Sequence, residues 1–110
     1  MKLNPEKLVW QEPQKTVSGE TIPPDKELEY EVGYKQDGGF EPLMVVPAQL
    51  REGTEYEAPI KELQLSDGEH EISLRSFYKD SPELKSSWSN SVTFEINGSV
   101  PESPLGLSVK

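Results

Sequence analysis

The sequence predicts an all-β fold, a sandwich of about seven short antiparallel strands. Three observations carry that expectation. Apolar and polar residues alternate with a period of two in several runs, as strands wetted on one face do. No stretch keeps a 3.6-residue period over the roughly 10 residues a helix needs. Finally, 10 Pro and 8 Gly in 110 residues cut the chain into short segments.

Taken in order, residues 7–11 place Leu8 and Trp10 on one face of a first strand. Residues 12–26 hold Pro13, Gly19, Pro23 and Pro24 and read as a loop between sheets, stiff enough to present a surface. In residues 27–35, Leu28, Tyr30, Val32 and Tyr34 share one face, with Glu29, Glu31 and Lys35 on the other. Gln36-Asp37-Gly38-Gly39 supplies a turn that tolerates positive φ and leads into a strand over 40–46. A further strand is expected over 56–63, followed by the turn Ser66-Asp67-Gly68. Residues 69–78 set His70, Ile72 and Leu74 against Glu71, Ser73 and Arg75. The last strand, 91–97, alternates Val92, Phe94 and Ile96 with Thr93 and Glu95, and Asn97-Gly98 closes it. The expected core is Trp10, Tyr30, Val32, Ile72, Leu74, Val92 and Phe94.

Charge and missing residue types exclude several functions. The chain has 11 Lys+Arg against 20 Asp+Glu, a formal charge of −9. Nucleic acid and anionic membranes require a basic footprint, so neither is expected as a partner. Self-repulsion should keep the molecule monomeric at low salt, and a protein partner should be basic or use an apolar loop tip. There is no Cys and only one His, which removes disulfides, cysteine nucleophiles and His-based zinc sites. No apolar run approaches the roughly 20 residues that span a bilayer. The opening residues, Met1 to Lys7, lack an apolar core of signal-peptide length.

Candidate chemistry is sparse. Glu27, Glu29 and Glu31 form an outward stripe on one strand, but calcium loops cluster oxygen ligands around a glycine turn, so a solvated, mutually repelling face is expected. Such a face also deters edge-to-edge pairing. Nucleophile-elbow, phosphate-loop and dinucleotide fingerprints do not occur. Asn97-Gly98-Ser99 fits a glycosylation sequon, which matters only in a eukaryotic secretory setting. Trp10 and Trp88 could stack a sugar, although their strand positions suit core packing better. No catalytic residue, metal site or cofactor is expected, and the chain reads as no enzyme.

Four motifs in order resemble a fibronectin type III domain. Leu8-Val9-Trp10-Gln11-Glu12-Pro13 looks like its second strand and Tyr30-Glu31-Val32-Gly33-Tyr34-Lys35 like its third. The run from Leu63 through Asp67-Gly68 and His70 to Arg75 looks like the turn and strand that follow. Ser87-Trp88-Ser89-Asn90-Ser91-Val92-Thr93-Phe94 looks like the last strand. Within the family the pattern is most similar to domains of phage tail-tip and fibre proteins. The resemblance implies an immunoglobulin-like sandwich over 1–97. It also implies a non-enzymatic module that mediates assembly or host-surface contact in a tail tip, fibre or capsid decoration, located in a virion or outside the cell. An accessory spacer or binding domain of an extracellular bacterial enzyme or surface protein is the alternative. A eukaryotic adhesion domain is a third reading, disfavoured by the missing disulfides. Partners would be neighbouring subunits or domains, a second copy among them, or a cell-surface receptor. The family's corner tyrosine falls on His70, whose imidazole could donate a similar hydrogen bond to backbone.

Two segments are candidate binding elements. Residues 78–85 form a loop with Tyr78, Lys79, Glu83 and Leu84 exposed, suited to binding or serving only as a connection. The Pro-rich tail 98–110 contains Pro104, Leu105, Leu107 and Val109 in a pattern that resembles a family opening strand, for which too few residues precede Leu8. The tail is therefore expected to be a strand donated to a neighbour, the start of a following domain, or a free extension.

Overall fold

A computed structural model describes residues 1–110 and shows an all-β protein with two facing sheets. Nine strands form: β1 (Lys2–Leu3), β2 (Lys7–Gln11), β3 (Leu28–Gln36), β4 (Gly39–Val45), β5 (Gln49–Glu52), β6 (Glu55–Pro59), β7 (Gly68–Tyr78), β8 (Ser81–Lys85) and β9 (Val92–Ile96). The larger sheet runs β1-β9-β7-β3-β4, with β8 also paired to β7. The smaller is β2-β6-β5. The irregular segment 12–27 crosses between β2 and β3 and contains an isolated β-bridge between Lys15 and Thr21.

The expected alternation positions the core. Tyr30 and Val32 of β3, Ala58 of β6, Ile72 of β7 and Phe94 of β9 are buried together with Val46. Trp10, Tyr30 and Tyr56 form an aromatic cluster between the sheets, with ring centroids 5.1 to 6.4 Å apart. Asp37 and Gly38 both take positive φ, 50° and 83°, in the two-residue turn that joins β3 to β4. That geometry matches the right-handed twist of the flanking strands. Pro42 lies in β4, an edge strand, where its missing N–H costs no ladder bond.

Several expectations need correction. There are nine strands rather than seven, and β1 runs parallel to β9, so the pairing is not wholly antiparallel. Asn4, at φ 47°, turns the chain out of β1. Its side chain brackets Asn97, with Nδ2 donating to the carbonyl and Oδ1 accepting from the amide. The strand expected over 56–63 ends at Pro59, and Ile60–Leu63 is a 3₁₀ turn. A three-residue repeat places Ile60 and Leu63 on one side, and both are buried. Val92 is 44% exposed and lies outside the core. Tyr34 is likewise 37% exposed, near the solvent end of β3.

The buried phenol of Tyr30 makes stability depend on alkaline pH. Its hydroxyl has no hydrogen-bond partner, and burial pushes its pKa up well beyond the ordinary tyrosine value. The unfolded chain ionises near pH ~10, before the folded one does, so this group's contribution is complete below that pH and is lost above it. Urea unfolding followed across roughly pH 8 to 11 should show a flat midpoint that falls at the alkaline end. In Tyr30→Phe that fall should be smaller.

Candidate functional site

The segment expected as a loop over 78–85 is a hairpin. Tyr78 pairs with Ser81 across the two-residue turn Lys79-Asp80, and β8 lies along β7. The turn is pinned to the start of β3. Lys79 N donates to the Glu27 carbonyl at 3.0 Å, and the Lys79 Nζ to Glu27 carboxylate distance is 3.4 Å. Lys26 Nζ donates to Asp80 at 3.1 Å, a bond that raises the Lys26 pKa. Tyr78 is half-buried while Lys79, Glu83 and Leu84 are exposed, Leu84 by 57%. The hairpin therefore presents three of the four expected binding residues to solvent, Glu83 and Leu84 on the edge strand β8 and Lys79 at the turn before it. Leu84→Ser and Glu83→Ala should each change stability by less than about 0.5 kcal/mol in thermal unfolding. A larger loss would mean these side chains serve folding rather than contact.

The outer face of the larger sheet is organised differently from expectation. Of Glu27, Glu29 and Glu31, expected as a solvated stripe, Glu27 is exposed as expected, whereas Glu31 is covered. Glu31 lies opposite Arg75 in the β3–β7 register, and Arg75 Nε and Nη2 reach its Oε1 at 2.7 and 2.6 Å. The pair is largely covered, 15% exposed at Glu31 and 21% at Arg75. Arg75 also stacks its guanidinium 4.2 Å from the Trp88 ring centroid. Lys85 Nζ lies 4.2 Å from the Phe77 centroid and 4.0 Å from Glu31. Trp88 packs 6.0 Å from Phe40, over which Lys35 sits at 5.2 Å. Cations and aromatic rings thus interlock across five neighbouring segments, an arrangement that ties the sheet together.

Trp88 departs from its expected place on the last strand. The edge beside β7 is interrupted between β8 and β9, where Ser86 N bonds the Ser76 carbonyl and Ser89 N bonds the Leu74 carbonyl. Ser73 and Ser89 hydroxyls close the same segment at 3.1 Å. Trp88 turns from this segment over Gly33, a position where a Cβ would lie 2.6 Å from the indole. It covers the sheet rather than filling the core or offering a free sugar platform. Trp10, by contrast, packs against the core as expected.

His70 Nε2 donates to the Ser66 carbonyl at 2.7 Å from a half-buried position, the backbone anchor expected of it. No group of three His, Asp or Glu side chains converges at metal-binding distance. A cleft of about 580 Å³ lies beside β2, lined by Leu8, Trp10, Leu74 and Trp88 among others. Sequence reasoning identified its apolar residues but not the cleft, because Leu8 and Trp88 are 80 positions apart. The tail residues Leu105, Leu107 and Val109 are almost wholly exposed and contact neither this cleft nor any strand. The chain matches no protein-family model, no curated protein and no solved structure.

Proposed function

We propose that the chain is a non-enzymatic structural and interaction module of the fibronectin type III kind, part of a bacteriophage tail tip, fibre or capsid decoration. The strand order carries this reading. Immunoglobulin-like sandwiches place strands B, E and D in one sheet and C, F and G in the other. Here β2, β6 and β5 share one sheet, while β3, β7 and β9 lie side by side in the other. The module mediates assembly or host-surface contact, and its location is a virion or the extracellular space. Its partners are proteins: neighbouring subunits or domains, or a cell-surface receptor. The exposed hairpin edge with Lys79, Glu83 and Leu84, flanked by Tyr78, supports the receptor-facing role. A net charge of −9 supports protein over nucleic acid as partner.

The Pro-rich extension 98–110, exposed over its last ten residues, supports a second reading, an accessory spacer in an extracellular bacterial protein. Sequencing the DNA that flanks this reading frame separates the two. Neighbouring tail, fibre or capsid genes are expected; a frame continuous with a catalytic domain would favour the spacer. Tight binding to DNA or heparin at physiological salt would count against both.

A further inference from the structure

Strand β2 has a partner on one side only. Ile60 N donates to the Glu6 carbonyl at 2.9 Å, and Glu12 N to the Thr54 carbonyl at 2.8 Å. In an antiparallel ladder this sets residues 6, 8, 10 and 12 toward β6. Lys7, Val9 and Gln11 consequently aim their N–H and C=O groups at the open side. The 580 Å³ cleft runs along that same side. Among its lining residues, Trp10 and Tyr30 carry a buried Nε1 and hydroxyl with no hydrogen-bond partner.

The chain also holds a segment that complements this edge. Residues 101–110 are exposed throughout, and the last backbone bond before them is from Val100 N to the Asn97 carbonyl. The radius of gyration, 16.6 Å, exceeds the roughly 13 Å of a compact chain this long, as a projecting tail requires. Leu105, Leu107 and Val109 are 89, 97 and 100% exposed and alternate with Gly106 and Ser108, the pattern of a strand with one apolar face. Residues 103–109 carry no charge, so a molecule of net charge −9 does not repel them. Six residues of strand span about 20 Å, enough to run the length of β2.

We propose that Pro104–Val109 of one copy adds to the open edge of β2 in a second copy as an antiparallel strand, with Leu105, Leu107 and Val109 seated in the cleft. Antiparallel addition within one chain is out of reach. The chain leaves β9 beside Asn4, at the end where β2 begins, whereas the antiparallel strand has to start beside Gln11. Gly98 is held by Asp67 and Val100 by Asn97, which leaves 101–103 to cover the gap. Three residues reach about 10 Å, against about 17 Å for the five of β2. Donor and acceptor are different surfaces, so the contact is heterologous and propagates from copy to copy. Such an assembly is independent of whether the module serves a virion or a spacer.

Sedimentation of the full-length chain over a concentration series tests this. The average mass should rise to about twice the monomer's or more, and further when salt of about 0.15 M screens the acidic bodies. Leu107→Glu alters a side chain that contacts nothing within its own copy, so it should fold normally and remain monomeric. Val9→Pro removes an outward N–H on the acceptor edge and should also stay monomeric. Mixing the two variants restores one intact tail and one intact cleft, and should yield dimers that stop at about twofold mass. If full-length protein stays monomeric at the highest concentration and salt, or Leu107→Glu assembles like the parent, the proposal is wrong. The Leu107→Glu comparison decides even if Val9→Pro unfolds.

Discussion

Replacing Phe94 by Ala should remove about 3–5 kcal/mol of stability, the loss typical of a buried aromatic truncated in a packed core. Phe94 is 3% exposed and lies among Tyr30, Val32, Ile72 and Leu63, between the sheets. Eleven of the 110 residues are buried, so little else can compensate for the cavity. Small domains are stable by about 5–15 kcal/mol in total, and each kilocalorie moves the melting temperature by roughly 4–8 °C. Thermal unfolding should therefore show a fall of tens of degrees, or no cooperative transition at all. Val92→Ala, at an exposed position two residues away, should move the midpoint far less. Val92 and Phe94 share one face of β9, so equal losses at the two positions would contradict the burial difference between the end of the strand and its centre.

Gly33→Ala should cost about 1–3 kcal/mol, and that cost should largely vanish in a Trp88→Ala background. The added methyl would meet the Trp88 ring at 2.6 and 2.8 Å and the Glu41 carbonyl at 3.0 Å. Backbone freedom is not the reason for glycine here, since Gly33 lacks a positive φ. The position is glycine because an indole lies on it, at a bulge in the β3–β4 pairing. Displacing that ring also removes the surface on which Arg75 stacks, so the Arg75–Glu31 pair loses its cover. A double-mutant cycle read by urea unfolding gives the coupling directly. An additive result would show that Trp88 does not rest on Gly33 in solution.

The all-β class, the buried faces of β3 and β7 and the Asp37-Gly38 turn were legible in the sequence. Each depends on a local rule: a side-chain period of two, or a pair of residues that tolerate positive φ. β5 was not legible because all four of its residues are exposed, so it shows no alternation. β8 was hidden by a turn, Lys79-Asp80, that carries no glycine or asparagine. Ile60 and Leu63 were misassigned because a 3₁₀ turn and a short strand both present few apolar residues at such spacing.

The sites depended on a different kind of information. Period two placed Glu31 and Arg75 each on an outward face, but only the register between β3 and β7 sets them opposite one another. Glu31, from a stripe expected to repel, became half of a covered ion pair for that reason. The hydroxyl-rich run around Trp88 carries no local rule that sends its indole across Gly33. The cleft beside β2 likewise exists only because β1 pairs with β9 instead of β2, leaving one ladder edge unfilled. By itself, then, the sequence determined which residues alternate and where the chain turns, since those follow from bonds between near neighbours. The tertiary structure decided which strands lie side by side, which charges meet and which edge stays open, because strand pairing joins residues that no sequence period relates.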